Sequence, residues 1–424
     1  MRKILFGRRL WLWVVYIAIV LAVIAIDYAG EVYETNCGNL TWTTKLWHQR
    51  LCLAGHRKPR AHYVRVVTIT AGNEYDADAH CAARKFVGTL LLRLRELGPA
   101  LIVIDKFYKP SLCNDATVTA GLQDAVNQVS STIPVVLGRS SDRYEDFPIN
   151  SPDQKLWQAL KLGQGNDVEV LSESSISTNG TSSQLGLVRL SCNTWEIPVR
   201  LQLYPTLNSL KALSEKERKK NIEMDTLSFA AAKKFDIDLA KLMRPHVEHH
   251  DSLVGAFLPI DRFHPLTASQ VLCGLQATKY DAVSCQSGPS EDLALRGKIV
   301  LIGEYRPKED THESVIGKVP GFMLQANYIE SLLDDRFFQQ IPKWLEIVLT
   351  VLCLVLLDIM LERARNPYIG ALAAACIVIA LWFISHFAIM EWGYYFVFWF
   401  PMAIALPAKL LEAVKKVPPK VANA

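Results

Sequence analysis

The chain has 424 residues, 50% of them hydrophobic and 21% charged, with a formal net charge of +4 and a mean hydropathy of +0.14. It is long enough to bury a sizeable core and too apolar for a disordered protein. A charge so close to balance argues against a nucleic-acid binder that works by neutralising phosphates. Residues 28–341 hold 35 Lys/Arg and 36 Asp/Glu, whereas the two flanks hold 11 and 6. The basic excess therefore lies beside the most hydrophobic segments, as membrane topology requires.

The first apolar run, residues 10–26 (LWLWVVYIAIVLAVIAI), is uncharged and follows Arg2, Lys3, Arg8 and Arg9. Its length suits a membrane span. Its end, Ile26-Asp27-Tyr28, is a poor cleavage site for a signal peptide. We expect an anchor over residues 10–27 and an outside segment over residues 28–341.

That segment alternates strand-like and helix-like stretches. Residues 64–70 are β-branched and apolar, a buried strand. Residues 82–97 place Leu90, Leu91, Leu94 and Leu97 at helical spacing. After a Gly98-Pro99 break comes LIVID, residues 101–105, a second strand. Residues 116–129 read as a helix and IPVVLG, residues 133–138, as a third strand. This βαβαβ order predicts an α/β domain with a mostly parallel sheet. Residues 185–191 and 196–203 flank Cys192-Asn193-Thr194-Trp195 and predict a hairpin. Ser214-Glu215-Lys216-Glu217 is a capping box, with helical sequence expected onward to Met243. Residues 253–258 and 299–303 are further strands, and residues 321–333 a closing helix. That helix runs through Ile341-Pro342 almost directly into the second apolar run.

Three apolar runs close the chain: residues 342–361, 367–389 and 392–411, followed by a short tail, residues 412–424. Arg363, Arg365, Lys409, Lys415, Lys416 and Lys420 fall on the same side as the basic N-terminus of residues 1–9 if both ends are cytoplasmic. Trp11, Trp13, Trp344, Trp392 and Trp399 lie mostly near span ends, where aromatic belts sit. The expected topology is four transmembrane helices, one N-terminal and three C-terminal. Few polar groups interrupt the runs (Glu346, Asp358, Ser385, His386 and Glu391, mostly near ends), which argues against a transport pathway.

Of nine cysteines, Cys353 and Cys376 lie in apolar runs, and seven lie in the outside segment. Cys273 and Cys285 bracket a short polar loop and form the favoured disulfide pair; Cys37 with Cys52 and Cys81 with Cys113 are alternatives. No CxxC occurs.

Chemical motifs are few. There is no GxSxG, HExxH, Walker loop or GxGxxG, and no enzyme activity is expected. Gly163-Gln164-Gly165 reads as a turn. His246, His249, His250 and Asp251 approach metal-ligand spacing but read as a solvated polar loop, so neither metal nor cofactor is expected. Lys216–Lys220 reads as a solvated helix face. Asn39 and Asn179 fit glycosylation sequons. Ligands of open parallel sheets bind beyond the carboxyl ends of the strands. That rule selects Asp105, Lys106, Arg139 and Glu304 as candidate ligand-binding residues, with loop charges or an ion pair as the plainer reading for Asp105 and Lys106.

Several segments together resemble the type-2 CHASE domain, an extracytoplasmic sensory domain of bacterial receptors. They are LWHQRL at residues 46–51 with Arg57-Lys58-Pro59, LRLRELGPALIVID at 92–105, AFLPIDRFHPLTASQVL at 256–272, and GKIVLIG at 297–303. Pro320-Gly321, Gln325-Ala326-Asn327 and Leu332-Leu333 complete the pattern. Departures are Thr70-Ala71-Gly72-Asn73-Glu74 after the first strand, Glu304–Lys308 where the family often has small residues, and Gln325 where it commonly has His. The family often carries a cytoplasmic kinase or cyclase, and this chain is expected to lack one. The resemblance implies a multi-pass protein of the bacterial inner membrane. Its large domain would lie in the periplasm, its termini in the cytoplasm, and its signal would pass to a separate cytoplasmic or membrane partner. Besides the lipid bilayer and that partner, a homo-oligomer is left open. The alternative is a structural, membrane-anchored subunit of an envelope or secretion complex.

Overall fold

The computed structural model describes residues 61–70, 77–108, 113–142, 151–159, 170–172, 174, 176, 183–188, 190, 196–212, 222–242, 253–255, 257–273, 294–305, 310–314, 317–334, 337–363, 367–388 and 394–395. The chain divides into two compact units, residues 55–337 and, second, residues 1–54 with 338–424.

The first unit is built on a six-stranded sheet. Its strands are β1 (Val64–Thr70), β2 (Leu101–Asp105), β3 (Val135–Arg139) and β4 (Ser183–Leu187). After β5 (Arg200–Leu203) and β6 (Ile222–Asp225), which pair only with each other, come β7 (Leu266–Thr267) and β8 (Ile299–Tyr305). The sheet order is β7-β1-β8-β2-β3-β4, and every pairing in it is parallel. The predicted mostly parallel α/β domain is the observed one. β8 arrives last and inserts between β1 and β2, with Gly303 beside Asp105 and Glu304 beside Ile69.

Parallel sheets are covered on both faces, so their strands read as continuous apolar runs. On one face Val67, Ile69, Ile102, Ile104, Val135, Leu137, Val300 and Ile302 meet three helices. These are α1 (Ala77–Leu97), α2 (Ala116–Ser130) and α4 (Ala268–Cys273). Leu90, Leu91 and Leu94 of α1 are fully buried there and Leu97 partly, as the leucine spacing predicts. Each such leucine contributes about 1.5–3 kcal/mol by leaving water. Asp115 starts α2 by accepting from the amides of Thr117 and Val118. The opposite face is covered by α3 (Leu227–Phe235) and α5 (Gly321–Leu333), which pack on one another.

Helix α5 is buried along its whole length from Gly321 to Leu332, polar residues included. Two of them, Asn327 and Glu330, are satisfied by backbone. Asn327 accepts from the Leu258 amide at 2.6 Å and donates to the Leu258 and Met323 carbonyls. The Glu330 carboxylate accepts from three consecutive amides at the start of β1: His62, Tyr63 (3.0 Å) and Val64 (3.0 Å). The entrance to the domain is thus fastened to its last helix.

Two local expectations are corrected. Among the described residues, no hairpin joins residues 185–191 to 196–203. Ser183–Leu187 is a parallel strand beside β3, Glu196–Ile197 pairs with Leu253–Gly255, and Arg200–Leu203 pairs with β6. The reason lies in packing: a Cβ on Gly186 would sit 2.6 Å from the Leu227 Cα, so β4 lies directly against the first turn of α3. The stretch toward Met243 is not one helix. Strand β6 precedes α3, which is capped by Thr226, and a short helix Ile237–Leu242 follows. The capping box at 214–217 lies outside the described residues.

Cys81 and Cys113 form a disulfide, Cα–Cα 5.2 Å, joining α1 to the segment before α2. Cys273 is also disulfide-bonded. Its partner, like Cys285, Cys37 and Cys52, lies outside the described residues.

In the second unit, α6 (Lys343–Arg363) and α7 (Pro367–Phe387) are 21 residues each and pack together. Among the described residues, no helix is long and apolar enough to cross a membrane. Tyr394–Tyr395, within the fourth apolar run, pair in parallel with Gln339–Gln340 and are extended. The run at residues 10–26 lies outside the described residues.

Candidate functional site at the carboxyl edge of the sheet

The carboxyl ends of β1, β8, β2 and β3 lie side by side and deliver Thr70, Tyr305, Asp105 and Arg139 to one edge. Three of the four residues selected from sequence come together there. Lys106 and Glu304 form an ion pair, each side chain less than one-sixth exposed. Asp105 precedes Lys106 and is level with Gly303, the residue before Glu304. Lys106 is ion-paired, with Glu304 and not with Asp105. The fourth, Arg139, donates from Nη2 to the Ser172 carbonyl at 2.7 Å and so braces the chain beside β3.

Asp105 stands apart from this pairing. The residue keeps some surface, yet its Oδ1 is sealed, and among the described residues no hydrogen-bond donor reaches it. A carboxylate withdrawn from water without a donor favours its neutral form. Burial, with the negative charge of Asp310 second, pushes the Asp105 carboxyl up to about 7.

Asp310 is one of the residues that sequence reasoning missed. It precedes a hairpin of β9 (Thr311–Ser314) and β10 (Gly317–Pro320), which leads into α5. The residue before α5 is Pro320, which offers no side-chain cap. Asp310 supplies one from across the hairpin, its Oδ2 accepting from the Gly321 amide at 3.2 Å. Its Oδ1 lies 3.0 Å from His312 Nε2. A carboxylate at a helix N-terminus is stabilised by the helix dipole.

Tyr108 and Arg84 complete the surroundings. The Tyr108 ring lies 5.8 Å from the Arg84 guanidinium and 6.0 Å from Lys106 Nζ, within cation–π range. Burial raises the Tyr108 phenol, with Glu304 adding and Arg84 opposing. Burial lowers Arg84, whose Nη1 donates to Thr119 Oγ1 at 2.6 Å. No periodicity marks these residues; only the fold brings them beside the strand ends.

Among the described residues, no group of three or more His, Cys, Asp or Glu side chains is placed to hold a metal ion. His246, His249, His250 and Asp251 lie outside them, as do the Gly163–Gly165 turn, Lys216–Lys220 and both sequons.

The model of the CHASE2 domain family matches residues 18–360. The chain belongs to the CHASE2 family. No curated protein and no solved structure matches it. CHASE2 is an extracytoplasmic sensory domain, and the segments that carried the resemblance now have places. GKIVLIG is the inserted central strand, Pro320-Gly321 is the start of α5, and Asn327 and Leu332 are buried on that helix. Gln325, where the family commonly has His, is also fully buried.

Proposed function

We propose that this CHASE2 protein is a membrane-bound sensor without enzymatic activity of its own. Its periplasmic domain detects a signal at the carboxyl edge of the sheet, and the change passes through the membrane helices to a separate cytoplasmic or membrane partner. The observation that carries this reading is the position of α5. Its N-terminus is held by Asp310 at the candidate site, and only residues 334–342 separate its end from α6. A shift of α5 therefore has a short path to the second apolar run.

The membrane assignment, with four spans, an inner-membrane location and both termini cytoplasmic, rests on sequence. Pro367–Phe387 contains no Asp, Glu, Lys or Arg. Several large apolar side chains of α6 and α7 are exposed, among them Val348, Leu352, Leu356, Leu372 and Phe383. Contiguous apolar surface of that kind calls for lipid or a protein partner.

The test is affinity purification of the full tagged chain from its native membranes in mild detergent. Recovery of a cytoplasmic kinase, cyclase or regulator supports the sensor. Recovery of envelope or secretion components alone would replace it with an anchored structural subunit.

A further inference from the structure

We propose that Asp105 is a proton-binding switch, and that its charge sets how firmly Asp310 holds the first turn of α5. The ligand class at this edge is then the proton. This deepens the sensor reading, and depends on it only for what the movement of α5 is used for.

The geometry gives Asp105 few ways to remain charged. Its Oδ1 is sealed without a donor. The cation next to it in sequence, Lys106, is engaged by Glu304. Asp105 is level with Gly303, Gly303 abuts Phe322 in the first turn of α5, and Asp310 lies against Gly321 at the start of that turn, so the acid acting on Asp105 is Asp310, a like charge. The elements meeting here also carry Arg84 on α1, Tyr108 after β2, Arg139 ending β3, Tyr305 ending β8, and His312, Glu313 and the exposed Lys318 on the hairpin. Losing a proton from Asp105 sets a second negative charge beside Asp310. Asp310 holds two things, the His312 imidazole and the Gly321 amide. Repulsion that displaces it releases the only capping contact seen at the start of α5 among the described residues. Burial and Asp310 bring the Asp105 carboxyl to about 7, so ordinary changes of external pH alter its charge.

Hydrogen exchange of the full chain in detergent micelles, at pH 5.5 and pH 8 and corrected for intrinsic rates, tests this. Peptides that begin upstream of Val319 and span Gly321 are expected to exchange about tenfold faster at the higher pH, as loss of roughly one cap contact implies. Asp105→Asn should keep them slow at both values. Asp310→Asn, which removes the like charge, should also abolish the pH response. His312→Gln, which removes the imidazole beside Asp310, should retain the response. The proposal is overturned if Asp105→Asn responds to pH as the native chain does, or if His312→Gln alone abolishes the response. Unchanged slow exchange in peptides spanning Leu101–Asp105 confirms that each variant is folded. None of these readouts uses a partner, so a failed partner search and a failed proton switch are separate results.

Discussion

Glu330 and Asp105 are both acids withdrawn from solvent, one at the amino ends of the strands and the other at their carboxyl ends. Glu330 has no exposed surface and accepts from three successive main-chain amides. Asp105 has a sealed oxygen with no donor among the described residues and a like charge acting on it. A buried carboxylate is stable when its lone pairs are filled and costly when they are not. One edge of the sheet therefore closes the fold, and the other holds unmet electrostatic demand. Departures from local satisfaction of this kind concentrate where a protein binds or switches.

The largest expected effect breaks the satisfied edge. Glu330→Ala leaves three amides without their acceptor and should cost about 3 kcal/mol or more. Glu330→Gln keeps a carbonyl oxygen and should cost less. Thermal unfolding of the full chain in detergent reads both. An Ala variant as stable as the native chain would mean that water replaces the carboxylate, and the contrast between the edges would fail.

The next effect tests how tightly α5 sits on the carboxyl edge. A Cβ on Gly303 would lie 2.2 Å from Phe322 Cγ in the first turn of α5. Gly303→Ala should cost about 1–3 kcal/mol by forcing the helix off the strand. Because Gly303 is level with Asp105, the same variant should blunt the pH response of the α5 peptides.

Asp105→Asn should act in the opposite direction from Glu330→Gln. The folded-state carboxyl titrates near 7 and the unfolded one near 4. The stability that its proton supplies is therefore complete below about pH 4 and is lost as pH rises through about 7. At pH 8 the native chain carries the whole penalty, on the order of a few kcal/mol before relaxation. Asp105→Asn removes it. Its melting temperature should exceed that of the native chain at pH 8 and converge with it at low pH. Equal melting temperatures across that range would show that Asp105 is solvated, whatever its static surroundings.

How much of this was legible in sequence follows from where each signal lies. LIVID and GKIVLIG read as strands because a parallel strand is apolar on both faces, and Leu90, Leu91 and Leu94 announced α1 by spacing. The strand-end rule then found Asp105, Lys106 and Glu304 together, since it needs only the ends of correctly read strands. It did not find Asp310 or His312, which reach the edge from a hairpin that breaks every periodicity. Glu330 was equally hidden, because its donors lie 266–268 residues away in the chain. The hairpin expected around Cys192 failed for a related reason. Turn chemistry says where a chain bends, whereas Gly186 against α3 decides which strand it joins.

The smallest effect comes from a third acid, which separates satisfaction from burial. Asp115 is exposed, yet its Oδ1 accepts from the amides of Thr117 and Val118 and from the Thr117 hydroxyl. Those bonds, the Thr117 hydroxyl first, hold its carboxyl below the usual carboxylate range. The sign is therefore the reverse of that for Asp105: its contribution is present at neutral pH and is lost as pH falls through the lowered value. Asp115→Ala should lower the melting temperature at pH 7 by less than Glu330→Gln does, because water takes over the freed amides. The difference between Asp115→Ala and the native chain should vanish in acid. If Asp115→Ala proved as damaging as Glu330→Ala, hydrogen-bond count and not burial would set the cost of losing a carboxylate, and the contrast between the two edges would reduce to how many donors each acid has.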